Sequence, residues 1–193
     1  MSDFSKAARV VLVFALFLLF FRAAYFRTNG LLFRNSDFEW GDLSYWKAGN
    51  EAFRNQPTFG DNSWYRNRGN SGVVGNFWVG SCENRRSLRD PAGGVQGDGP
   101  LGVLLSDEFT IRRNRISFLI GGGDGTDKEG VSLEVEGQRV LFQPGAGSRL
   151  NNESMNRCVW DVSKWVGKKA HIAIWDASPG PWGHVNADDF RYA

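Results

Sequence analysis

From residue 109 to the C-terminus the chain consists of short segments in which apolar and polar residues alternate, and that pattern admits few folds. Val131-Ser-Leu-Glu-Val-Glu136 has period two, and Gly137-Gln138 leads it into Arg139-Val-Leu-Phe-Gln143, which predicts a hairpin. Phe109–Arg112 and Arg115–Ile120 flank a short basic turn, His171–Asp176 alternates again, and His184–Tyr192 reads as a closing strand. Beyond residue 35 no segment sustains a 3.6-residue period, although Val162–Val166 has room for one helical turn. Twenty-four Gly and eight Trp among 193 residues suit a turn-rich β protein. The expected fold is therefore all-β, a sandwich or barrel over residues 35–193.

The N-terminus has a different character. Arg9 and Arg22 bracket an unbroken apolar run from Val10 to Phe21. That run alone is too short for a bilayer, which takes about 20 residues, but Ala7 to Phe26 supplies roughly 30 Å of helix. Residues 7–27 are expected to form one transmembrane α-helix, with 1–6 as a cytoplasmic tail and 28–34 as a linker. A cleaved signal peptide competes for the same residues, but Phe21-Arg-Ala-Ala-Tyr-Phe-Arg-Thr-Asn-Gly30 offers no good small-x-small cleavage site. Phe14, Phe17 and Phe21 share one helical face, and read either as lipid-facing bulk or as a ridge for another membrane helix. Arg22 sits a turn inside the far end and needs a phosphate, water or protein partner. No His in this span can ligate a haem or chlorophyll, and basic residues on both sides leave the orientation undecided by charge.

Several phrases occur in a telling order. Asn35-Ser-Asp-Phe-Glu-Trp-Gly-Asp-Leu-Ser-Tyr-Trp46 opens the domain, and Ala52-Phe53 follows. Next come Gly99-Pro-Leu-Gly-Val-Leu-Leu-Ser-Asp-Glu-Phe-Thr-Ile111 and Ile116-Ser-Phe-Leu-Ile-Gly-Gly-Gly123. Trp160-Asp161, Gly167-Lys-Lys-Ala170, Ile174-Trp-Asp176 and Trp182-Gly-His-Val-Asn-Ala-Asp-Asp-Phe190 complete the series. In this order the chain resembles the jelly-roll carbohydrate-binding modules attached to bacterial levanases and related glycoside hydrolases, over residues 35–190. The resemblance implies a jelly-roll-like two-sheet β-sandwich outside the cytoplasm, and hence an N-in, C-out anchor in a bacterial inner membrane. Asp37 and Glu39 open the domain and Asp188 and Asp189 close it, so carboxylates from its two ends, with Asp37, Glu39 and Asp189 as the candidates, can hold a structural Ca²⁺, and the resemblance implies this role for Glu39 and Asp189. The alternative is ordinary turn carboxylates. The resemblance does not carry sugar binding with it.

Eight Trp could supply a sugar-stacking platform. Trp64, Trp78 and Trp182 lie in Gly/Asn-rich sequence and are the candidates, while Trp40, Trp46, Trp160, Trp165 and Trp175 read as core. Gly122-Gly-Asp-Gly-Thr-Asp127 matches a calcium-repeat motif once, and a single copy reads as a turn. Cys82 and Cys158 can form one disulfide or remain two buried thiols. Arg85, Arg86 and Arg89, and likewise Arg112, Arg113 and Arg115, read as solvated faces or as docking patches. A formal net charge of +2 with no recognition motif excludes nucleic acid. His171 and His184 sit in strand-like sequence and read as structural, and no G-x-S-x-G, H-E-x-x-H or P-loop is present.

Two functions are expected from these features. One is a non-enzymatic accessory subunit of an inner-membrane complex, such as a photosynthetic reaction-centre or light-harvesting assembly. It would brace neighbouring subunits and lipid through Phe14, Phe17, Phe21 and Arg22, with no cofactor for chemistry. The alternative is a membrane-tethered module for fructan or envelope glycan. Exposed aromatic rings in a groove would favour the second.

Overall fold

The structure, a computed structural model, describes residues 30–124, 127–145 and 152–193. Among them are eleven strands, two short 3-10 turns and no α-helix. No helix of the described residues is long and apolar enough to cross a membrane. The expected anchor at 7–27, with Phe14, Phe17, Phe21 and Arg22, lies outside them.

The strands form two antiparallel sheets. The first orders β1 (Trp46–Asn50), β4 (Gly102–Ser106), β10 (Lys169–Asp176), β7 (Glu129–Val135) and β8 (Gln138–Pro144), with β5 (Phe109–Thr110) also on β10. The second orders β2 (Thr58–Phe59), β3 (Phe77–Gly80), β11 (Val185–Tyr192), β6 (Arg115–Gly122) and β9 (Asn152–Asp161). The predicted hairpin is β7–β8. Glu136 and Gly137 both take positive φ, 51° and 79°, the backbone that a two-residue hairpin turn of matching twist requires. The helical turn near Val162 is the 3-10 turn Ser163–Trp165.

Alternation sets the core. Leu104, Ile172, Ile174, Val131 and Leu133 line the inner face of the first sheet, and Ile116, Phe118, Ile120, Val79 and Ala187 that of the second. Aromatic rings join the layers: Trp46 of the first sheet packs on Phe190 of the second with centroids 5.7 Å apart, Phe118 of the second sheet stacks on Phe190 at 5.2 Å, and Phe38 stacks on Trp46 at 5.0 Å. Trp46 and Trp160 are buried as expected, whereas Trp40, Trp165 and Trp175 are half-buried. A register shift between Asp188 and Arg191, with Asp189 at φ 57°, turns Phe190 into the core. The sandwich also begins earlier than Asn35. Leu31, Leu32 and Phe33, expected as linker, are buried, and Leu31 bridges to Arg191, because three apolar side chains there complete the core beside β11.

Residues 60–76 fold back over the outer face of the second sheet. Trp78, Leu119 and Met155 make a small apolar cluster under this segment, and Met155 donates its amide to Ser71 O (2.8 Å). This corrects the reading of Trp78 as a looped stacking residue. It belongs to β3, is 0 % exposed, and donates Nε1–H to Gly60 O (2.8 Å). The two cysteines are free. Cys82 follows β3 and Cys158 lies in β9, three strand spacings away at about 14 Å, far beyond disulfide reach.

Candidate functional site

The turn carrying Trp64 and Tyr65 is held from below. Asp61 Oδ1 accepts hydrogen bonds from the Ser71 amide (2.9 Å), Ser63 Oγ (3.1 Å) and the Trp64 amide (3.4 Å). Asn67, at φ 57°, closes the 3-10 turn Trp64–Arg66 by donating to Trp64 O (3.1 Å). Arg66 then anchors it through a bidentate pair with the buried Glu83 carboxylate, at 2.6 and 2.7 Å. Buried Asn62 ties the turn to the next loop, with Oδ1 accepting the Gly93 amide (2.7 Å) and Nδ2 donating to Gly94 O (2.8 Å) and to Glu83.

So braced, the turn presents its rings to solvent. Trp64 is 63 % and Tyr65 57 % exposed, in an open depression of about 380 Å³ lined also by Phe59, Asp61, Asn70, Arg85 and Leu88. Arg85 corrects the reading of 85, 86 and 89 as one solvated cluster. Its guanidinium is buried 4.9 Å from the Tyr65 centroid and 5.7 Å from that of Phe59, while Arg86 and Arg89 are exposed. It thereby fixes the aromatic shelf. Arg112, Arg113 and Arg115 are exposed.

On the other side of the same turn lies a second pocket, of about 320 Å³, with Arg66, Arg68, Cys82, Asp98, Glu153, Trp182 and His184 in its walls. Trp182, the third candidate ring, is half-buried here. It stacks with His184 (5.4 Å, 23°) and carries the Arg68 guanidinium 5.4 Å from its centroid. His184 is buried between two carboxylates, with Nδ1 2.9 Å from Asp98 Oδ1 and Nε2 3.3 Å from Glu153 Oε2. Burial alone would lower its pKa, but Glu153 and Asp98 outweigh burial and raise it. Burial likewise opposes ionisation of Glu153, yet His184, Asn186 and Arg66 hold its carboxyl down at about 2. Burial pushes the Cys82 thiol up, with Glu83 and Glu153 adding to the rise.

The expected calcium residues meet only in part. The opening segment does pack on β11, where Ser36 Oγ donates to Phe190 O (2.7 Å) and Ser36 O accepts the Phe190 amide (3.0 Å). Asp189, however, is paired with Arg157 (2.5 Å) and Arg191. Asp188 is the closing-strand carboxylate that lies near Glu39. Its Oδ2 accepts the Val74 amide (2.9 Å), while Oδ1 is buried without a hydrogen-bond partner. Burial raises its pKa well above the usual carboxylate range, and Asp189 and Glu39 raise it further. Glu39 Oε1 accepts the Asn76 and Phe77 amides, both at 2.8 Å, and its pKa is raised by burial and by Asp37. Among the described residues the three-residue group whose ligand atoms lie close enough to share a metal ion is Cys82, Asp98 and His184, so Asp37, Glu39 and Asp188 do not form a built cation site. The Gly122–Asp127 motif has two residues, 125 and 126, outside the described set.

No family model matches the chain. The protein described as "Putative glycosyl hydrolase ecdE" from Aspergillus rugulosus is 33% identical over 99 residues, which is 51% of this chain and 14% of that protein's length. Among solved structures, TmCBM61 in complex with β-1,4-galactotriose gives a TM-score of 0.48 at 16% identity, covering 83% of this chain and 96% of that one. A cyclase from Fischerella sp. TAU gives 0.48 at 16% identity, covering 83% and 94%.

Proposed function

We propose that this chain is a non-enzymatic carbohydrate-binding module, carried on a membrane anchor formed by residues 7–27. The observation that carries the reading is the Trp64–Tyr65 shelf. Two adjacent rings are exposed on a turn fixed by buried hydrogen bonds and by Arg85, with Asp61 and Asn70 beside them. Apolar faces of a sugar ring lie well on indole and phenol, and neighbouring carboxylate and amide groups take its hydroxyls. A rigid shelf binds at lower entropic cost than a loop that must order. The similarity of half the chain to a segment of a fungal protein described as a glycosyl hydrolase supports the same reading. Trp182 lines the second pocket and takes no part in this shelf.

The deciding experiment titrates the full chain with fructans, β-galactans and envelope glycans, following tryptophan fluorescence. Saturable binding by at least one glycan, weakened about tenfold or more in Trp64→Ala, is the expected result. Absence of binding across the panel, or binding indifferent to Trp64→Ala and Tyr65→Ala, overturns it.

A further inference from the structure

The second pocket holds a chemistry that a sugar shelf does not use. Cys82, Asp98 and His184 come from three distant parts of the chain, yet a sulfur, an oxygen and a nitrogen from them all lie within 4.8 Å of one another. We propose that these three residues bind a borderline-soft divalent metal ion, zinc by the character of the ligands, with a fourth position open to the pocket. The reading stands independently of the glycan shelf.

Three features support the assignment. The ligand set is the first. Thiolate, imidazole and a single carboxylate oxygen together suit Zn²⁺ and exclude Ca²⁺ or Mg²⁺, which take oxygen. A tetrahedral ion with bonds of about 2.0–2.3 Å spaces its ligand atoms about 3.3–3.8 Å apart, so the observed cluster needs only small side-chain rotations to close on it.

The second feature is how each ligand is already oriented. The Trp182 amide donates to Asp98 Oδ2 (2.9 Å), which leaves Oδ1 directed at His184. The Cys82 carbonyl accepts the Gln96 amide (2.8 Å) and so fixes the loop that carries Asp98. His184 is 3 % exposed, and its ring is held between Asp98 and Glu153. With the ion on Nδ1, Nε2 carries the proton and faces Glu153 Oε2 at 3.3 Å. That is the carboxylate–histidine–metal arrangement that fixes the tautomer and strengthens the ligand. Glu153 is itself held by Asn186 Nδ2 (3.1 Å) and Arg66 (3.3 Å).

The third is access with balance of charge. The pocket of about 320 Å³ opens on the cluster, giving an entry path and room for a water on the fourth position. Loading displaces the Cys82 thiol proton, because the thiolate is the ligand, and the thiolate and the Asp98 carboxylate together balance the two charges of the ion.

The test is a Co²⁺ titration of the full chain after removal of metals with a chelator. The expected result is a thiolate-to-cobalt charge-transfer band saturating at one equivalent, abolished by competing Zn²⁺ and accompanied by proton release. Cys82→Ser should lose the band while Cys158→Ser keeps it, and Glu153→Gln should weaken affinity by about 10–100-fold. No charge-transfer band with the unmutated chain overturns the proposal, whatever the variants do. So does a band that persists in Cys82→Ser or vanishes in Cys158→Ser.

Discussion

Trp64 and Trp78 lie fourteen positions apart in similar Gly/Asn-rich sequence, and the structure gives them opposite roles. Replacing each with Ala therefore tests the central reasoning. Trp78 is fully enclosed by Leu119, Met155 and the returning 60–76 segment. Burying an indole removes about 200 Å² from water, worth about 5 kcal/mol, and its Nε1–H bond to Gly60 O adds about 1 kcal/mol. Partial collapse of the cavity returns some of this, and measured Trp→Ala costs in cores are about 3–5 kcal/mol. For a domain of this size 1 kcal/mol moves Tm by about 2–4 °C, so Trp78→Ala should lower Tm by roughly 6–20 °C. Trp64 is 63 % exposed, and its replacement should cost about 0.5 kcal/mol or less, near 2 °C. The assay is a thermal scan of both variants beside the unmutated chain, followed by glycan titration of Trp64→Ala. A Trp64→Ala loss equal to that of Trp78→Ala, or a Trp78→Ala loss under about 3 °C, would refute the assignment of one ring to the shelf and the other to the post beneath it.

Three further outcomes follow from the buried polar groups. Glu153, held at about 2 against an unfolded value near 4.3, contributes about 3 kcal/mol that is fully present above the unfolded pKa and lost as pH falls through the folded one. Denaturant titrations should show unfolding free energy dropping between pH 5 and pH 2, with a shallower drop in Glu153→Gln. Asp176 has the opposite sign: burial pushes it up to about 6, so its ionisation costs stability as pH rises through that value. Asp176→Asn should thus gain up to about 3 kcal/mol at pH 8 and nothing at pH 4, and equal effects at both pH values would contradict the burial argument. Finally, reductant should leave Tm unchanged because Cys82 and Cys158 are free; a fall on reduction would require them to be bridged.

What could be read from the sequence depended on whether the information was local. The β7–β8 hairpin announces itself because period-two alternation and the turn chemistry of Glu136-Gly137 lie within fifteen residues. Strand β9 does not. Its sequence, NESMNRCVWD, carries polar residues on the outer face, and these are satisfied by partners remote in sequence: Glu153 by Arg66 and Asn186, Arg157 by Asp189. Strand β1 is an edge with four exposed residues, so burial imposes no pattern on it. Trp78 misleads for a related reason. A strand normally buries one face, and its outward face is closed here by a segment whose return path no local pattern encodes. The chain-end expectation was sound in placing the opening segment against the closing strand, but it selected Asp189. The register shift turns Asp189 toward Arg157 and Arg191 and leaves Asp188 beside Glu39. A bulge of one residue exchanges the faces of neighbouring side chains, and alternation alone cannot locate it.

The same logic explains why two candidate sites can share one short turn. In a tight 3-10 turn, successive side chains leave in different directions. Trp64 and Tyr65 leave toward the Phe59–Arg85 depression, and Arg66 leaves toward Glu83 and Glu153. The Arg66–Glu83 strut is therefore common to both: it fixes the platform on which the rings stand, and through Glu153 it reaches the imidazole of His184. Cutting that strut should disturb both sites at once, whereas Trp64→Ala should touch only the shelf and Cys82→Ser only the metal cluster. The selectivity of those two conservative losses, set against the shared loss in Arg66→Gln, is what separates two functional sites on one scaffold from a single polar network that merely holds the fold.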